Sequence, residues 1–227
     1  MKKIMFNDRY GLTEAVLSGR KTQTRRIITC PKEFKGEYVA GFHVYKRQSD
    51  GTMLEWPSLY DADESTIDDG YILPKYKVGE VVAVAQSYKD MGYSSIALDR
   101  SPKDYNIIRG TLGESKGWNN KMFVRGGACI HHIRITYVSV ERLQDISDED
   151  CIKELALNYE AHDMGYGKFQ TEWIYQFLCE DKLGRTKEYN HRSPKRVFEV
   201  VIDLICGKGT WESNPFVFVY EFELVDL

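Results

Sequence analysis

Seven consecutive residues concentrate four cations with hydroxyl and amide groups: Arg20-Lys21-Thr22-Gln23-Thr24-Arg25-Arg26. The segment lacks the glycines and the Gly-Lys-Ser/Thr order of a phosphate loop. Two chemistries are open to it. Lys21 and Thr24 can line one cleft, where Thr24 is a nucleophile or positions water, and Lys21 either activates that hydroxyl or, if charged, stabilises an oxyanion. Alternatively, the run is a solvated basic loop, which is how it reads when taken alone.

Composition narrows the partners. The formal net charge is −3, so no global positive field attracts polyanions, and any nucleic-acid contact must be local or the ligand small. Aromatics are 13% of the chain, suited to stacking on bases but more commonly used to fill cores. Five scattered cysteines without a CxxC pair read as reduced thiols of a cytoplasmic protein. His131 and His132 are adjacent, so on a strand they point to opposite faces and do not share a metal. The N-terminus lacks the apolar stretch of a signal peptide, and no run of about 18 apolar residues predicts a membrane span.

The elements that must position these groups follow from patterning. Lys3–Phe6 reads as a short strand. A helix capped by Asp8 runs to about Ser18 and ends at Gly19, delivering the basic segment to a helix C-terminus. Gly36–Gln48 and Thr52–Trp56 read as a hairpin around Ser49-Asp50-Gly51, and Asp61–Gly70 as an acidic solvated loop. Val81–Tyr88 is an apolar strand, and residues 89–117 a long excursion. Ala128–Leu143 alternates like a strand, with a phase change near Tyr137-Val138 that calls for a bulge. Ser147 caps a helix to about Leu157, with Ile152, Leu155 and Ala156 facing inward and Glu154 on another side. Phe169–Leu178 reads as an aromatic-rich helix. Ser193-Pro194 opens the strongest helix, which Gly207 ends. Trp211–Pro215 turns the chain into a closing strand, Phe216–Leu224. Strands and helices without regular βαβ alternation indicate an α+β fold with a mainly antiparallel sheet or small barrel.

Four stretches, in order along the chain, resemble the ASCH domain family, relatives of the PUA RNA-binding fold. Gly19, Lys21, Thr24 and Arg26 match a Gly-x-Lys-x-x-Thr-x-Arg signature. Tyr76-Lys77-Val78-Gly79-Glu80-Val81 is similar to the family's Val-Gly-acidic strand opening. Arg134–Asp150 and Gly207–Phe222 are similar to the longer members found in bacteriophages and prophages. The resemblance implies a PUA-like, mainly antiparallel β-barrel with flanking helices: one domain over residues 1–227, with insertions near 36–72, 89–117 and 158–192. It implies a cleft for a modified nucleoside or RNA, and no cofactor. It also implies an activity, since small bacterial members are amidohydrolases that remove the acetyl group from N4-acetylcytidine. Their catalytic lysine, threonine and glutamate map onto Lys21, Thr24 and Glu154, with Arg25, Arg26 and Gln86 as ligand-binding candidates. Ala85-Gln86-Ser87-Tyr88 stands where phage-type relatives carry Arg-Glu-Thr-Trp, and Gly127 and Ile130 stand where they carry Trp and Arg. The alternative expectations are a non-catalytic RNA-binding module and a phage accessory protein that engages a host protein through its insertions.

Overall fold

The computed structural model describes residues 1–46, 55–96, 111–163, 171–180 and 184–226. In chain order the elements are β1 (Lys3–Ile4), α1 (Leu12–Leu17), β2 (Gln23–Ile27), β3 (Glu33–Phe34), β4 (Glu37–Tyr38), β5 (Gly41–His43), β6 (Ser58–Tyr60), β7 (Thr66–Tyr71), β8 (Val81–Val84), β9 (His132–Arg142), α2 (Asp148–Leu155), β10 (Asn158–Asp163), β11 (Thr171–Glu180), β12 (Thr186–His191), α3 (Pro194–Cys206), α4 (Thr210–Ser213) and β13 (Phe216–Val225). The architecture is α+β, with mostly antiparallel strands in several sheets and few helices. The strands of the described residues form open sheets and no closed barrel.

The main sheet has the order β1-β8-β9-β13-β2, with β1 parallel to β8 and the rest antiparallel. Its centre is the long β9–β13 pair. Tyr137 faces Glu221, but Ile135 faces Phe222, so Thr136 is the extra residue of a bulge. Thr136 and Tyr137 are both exposed, which is the phase change visible in the sequence, placed one residue earlier than expected.

The two faces of this sheet carry different chemistry. Residues opposite one another on paired strands share a face. Gln23 and Arg25 therefore lie with Glu221, Val219 and Glu141, while Thr24 and Arg26 lie with Tyr220 and Phe218. Helix α2 covers the first face, and α3 packs on α2. The second face is aromatic. Phe216 packs on Phe42, Phe218 on Trp56 and Tyr220 on Tyr76, so the 33–76 region covers it. Buried Val39, Leu59 and Ile67 give that region its own small core.

Several expectations are corrected. Thr171–Glu180 is a strand, not a helix: buried Phe177 and Cys179 alternate with exposed Leu178 and Glu180, and β10 and β12 pair on either side. The acidic stretch holds β7, because pairing to β6 and burial of Ile67 outweigh the solvation of its carboxylates. Gly36–Gln48 breaks into two short strands, β4 and β5, and the turn at 49–51 lies outside the described residues. The first helix is preceded by a short 3-10 turn capped by Asn7, whose side chain accepts from Arg9 N, and α1 starts after Gly11 at φ +65°. Ser147 does cap α2, accepting from Asp150 N, whereas Ser193 makes no side-chain cap and proline alone opens α3.

Helix α2 ends on Ala156 at φ 51°, ψ 47°, a left-handed conformation that glycine adopts without a Cβ penalty. Ala156→Gly is expected to raise stability by about 0.5–1 kcal/mol, read as a higher urea midpoint at unchanged slope.

Candidate functional site

Gly19, at φ +72°, turns the chain back after α1, and Lys21 N bonds to Ala15 O at 2.9 Å. That turn drives the Lys21 side chain inward, where it is 1% exposed. Its Nζ donates to the Gln23 carbonyl at 2.5 Å, to the Glu154 carbonyl, and to Glu154 Oε1 at 3.2 Å. Burial pulls the Lys21 pKa down from its ordinary 10.5 to about 8, while the Glu154 charge acts the other way and the Arg26 and Arg25 cations add to the lowering.

Glu154 is 7% exposed and faces the sheet, contrary to the inward set read from apolar spacing. Cys151 and Leu155 are buried with it, while Ile152 is only partly covered. A short helix carries Glu154 inward because β2 supplies its partners. Its Oε1 accepts from Arg25 N at 3.0 Å and its Oε2 from Arg25 Nη1 at 3.3 Å.

Arg25 is consumed by this arrangement. Nε donates to Glu141 at 2.7 Å, Nη1 also to Gln23 Oε1 at 2.7 Å, and Nη2 to Asp150 at 3.3 Å. Burial works against its charge, but Glu154, Glu141 and Asp150 together outweigh that and hold its pKa above the usual value. Gln23 completes the cluster, donating to Asp150 at 3.2 Å and to Glu221 at 3.0 Å.

Thr24 lies on the other face of β2, opposite Tyr220. It is 4% exposed, and among the described residues its hydroxyl makes no hydrogen bond. Arg26 shares that face. It is exposed, donates to the Met5 carbonyl at 2.6 Å, and has no carboxylate partner among the described residues. The Phe6 ring joins the two sides: Lys21 Nζ and the Arg26 guanidinium each lie 5.8 Å from its centroid. Tyr76 and Tyr220 wall the aromatic face, and burial pushes the Tyr76 phenol up to about 12 and the Tyr220 phenol also upward.

The structure thus brings Lys21 and Glu154 into direct contact, with Arg25 bonded to Glu154. No hydrogen bond joins Thr24 to either among the described residues. Gln86 stands elsewhere: its Oε1 meets His131 Nδ1 at 2.6 Å. Ile130 is exposed, and a side chain at Gly127 would meet open space. Gln23, Glu141, Asp150 and Phe6 were not singled out from the sequence. The usable signal was the alternation of Lys21, Gln23 and Arg25, three polar residues at every second position. On a strand buried on both faces, such a row requires polar partners.

Among the described residues, no group of three His, Cys, Asp or Glu side chains is arranged to hold a metal, and no helix is long and apolar enough to cross a membrane. No family model, curated protein or solved structure matches the chain.

Removing one partner of a buried pair strands the other charge. Glu154→Ala is expected to cost about 3–5 kcal/mol in urea unfolding. Adding Lys21→Met in that background is expected to recover part of the loss, since the orphaned cation goes with it. Lys21 also links stability to pH. The unfolded chain holds its proton up to 10.5 and the folded chain only to about 8. Between those values the unfolded state binds more protons, so this group's contribution to stability rises with pH. Wild-type protein is therefore expected to gain on Lys21→Met across pH 8 to 10.5, in parallel denaturation series.

Proposed function

We propose that this chain is an amidohydrolase of the ASCH type that removes an acyl group from N4-acylated cytidine, using Lys21, Thr24 and Glu154. The observation that carries the reading is the Lys21 ammonium, buried out of water against a single carboxylate, with its pKa drawn to about 8. A lysine lowered in this way by burial can exchange protons near neutrality, as a general base must. With a pKa of about 8, about a tenth of the molecules carry the neutral amine at pH 7.

The chemistry follows from that amine. Neutral Lys21 takes the proton of the Thr24 hydroxyl as its oxygen attacks the acyl carbonyl. The C–N bond breaks, the electron pair leaves on N4 of cytosine, and the Lys21 ammonium returns the proton to it. Water then attacks the acyl-threonine ester, giving a carboxylic acid and free Thr24. Glu154 holds Lys21 in place through Oε1. Arg25 fixes both oxygens of Glu154, so the carboxylate does not need to reorganise during the reaction.

The same reading includes a PUA-like barrel. The main sheet has β1 and β2 at its two edges, and Arg26 of β2 reaches the carbonyl of Met5, one residue past β1. That contact supports a sheet curled until its edges approach, with the cleft at the seam.

Acetate release from N4-acetylcytidine by the pure protein is the test. Lys21→Ala, Thr24→Ala and Glu154→Ala are each expected to lower kcat/KM by about 100-fold or more. The wild-type profile is expected to climb with pH and level off above a midpoint of about 8, as Lys21 loses its proton. Absence of turnover across a panel of N4-acylated nucleosides would remove the proposal.

A further inference from the structure

The basic segment contains two adjacent arginines, and the fold gives them opposite fates. Arg25 points to the α2 face, where Glu141, Gln23, Glu154 and Asp150 occupy its guanidinium. Four of its five N–H groups are thereby taken, three of them by carboxylates. Arg26 points to the aromatic face, is exposed, and spends one N–H group on a backbone carbonyl. Among the described residues no carboxylate neutralises it.

Its position relates it to the proposed reacting groups. Thr24 and Arg26 are two residues apart on one face of β2, about 6.6–6.8 Å along the strand. The Phe6 ring has Lys21 and Arg26 at equal distances of 5.8 Å. A molecule whose acylated base reaches Lys21 and Thr24 thus has its far end beside an open guanidinium. Guanidinium binds the oxygens of a phosphate in a fork, with charge-assisted hydrogen bonds. The carboxylates gathered around Arg25 lie on the opposite face, and Glu80, the acid that acts on Tyr76, is paired with Lys2.

From this split we infer that the substrate is a phosphate ester of the acylated cytidine, not the free nucleoside, and that Arg26 is the specificity-determining contact to its phosphate. The inference rests on the proposed site and names its substrate class. The phosphate can belong to a 5′-mononucleotide or to the backbone of an RNA strand. The net charge of −3 leaves this one local contact, not a broad basic surface, to recognise it.

Titration calorimetry at low salt, with the unacylated products as probes, tests the inference without turnover. Cytidine 5′-monophosphate is expected to bind wild-type protein about tenfold or more tighter than cytidine. The preference is expected to shrink as salt rises. In Arg26→Gln the ratio of the two affinities is expected to fall to about one, with Arg26→Lys in between. A short RNA carrying one internal cytidine forms a parallel arm. Tighter binding of the oligonucleotide than of the mononucleotide assigns the phosphate to RNA, and the reverse assigns it to the nucleotide; either supports the inference. Equal affinity for cytidine and both phosphate esters overturns it. So does a preference that survives in Arg26→Gln, or a parallel loss of every ligand with the ratio unchanged, which marks a purely structural arginine. The outcomes separate from those for catalysis. Acetate release without phosphate preference keeps the amidohydrolase and rejects this inference. Phosphate preference without acetate release rejects the amidohydrolase and keeps the phosphate contact of Arg26. Failure of all three probes to bind rejects the inference, while acetate release alone decides the amidohydrolase.

Discussion

A charged lysine held out of water by one carboxylate is the constraint around which this molecule is arranged. Burying an ammonium is costly unless its partner is near and its remaining donors are satisfied. The chain meets both conditions. Glu154 supplies a carboxylate oxygen and a backbone carbonyl, and Gln23 a second carbonyl. Glu154 in turn requires Arg25, and Arg25 requires Glu141 and Asp150. The requirement spreads from the loop after α1 to β2, α2 and β9. Moving any one of these elements would leave a charge without a partner in a place water hardly reaches.

This polar cluster and the aromatic layer sit on opposite faces of the same strand. Because side chains alternate, β2 can send Gln23 and Arg25 to one layer and Thr24 and Arg26 to the other within four residues. Strand β13 does the same with Val219 and Glu221 against Phe218 and Tyr220. The bulge at Thr136 ends this regime: beyond it β13 becomes exposed at Glu223 and Leu224. The part of the sheet buried on both sides is therefore the part that carries the candidate site.

Legibility in the sequence followed the range of the interactions. Helix α3 shows in its apolar spacing and its Ser-Pro start, α2 in its Ser147 cap, and the β9 bulge in a change of phase. All of these are local. The inward turn of Glu154 was not readable, because its partners lie about 130 residues away and the helix's own apolar pattern points elsewhere. Strand β11 misled for a related reason. Aromatic residues at 173, 175 and 177 fit a strand, but only pairing with β10 and β12 decides against a helix. At the candidate site, the positions of Lys21, Thr24 and Glu154 came from motif resemblance. The division of labour between Arg25 and Arg26 came from the register of β2 against β13, which no local pattern contains.

Phe6 hangs from the chain just past β1, a strand of two residues. Two lysines brace it in opposite directions. Lys3 Nζ is cradled by the carbonyls of Lys121, Met122 and Val124, and Lys121 Nζ returns to the Phe6 carbonyl, Asp8 and Thr13. The 3-10 turn at 121–123 is thereby tied to the backbone that carries the ring. Lengthening or shortening this turn would tilt the ring between Lys21 and Arg26 without altering either cation, so the spacing of the two charges is held by a surface segment remote from both in sequence.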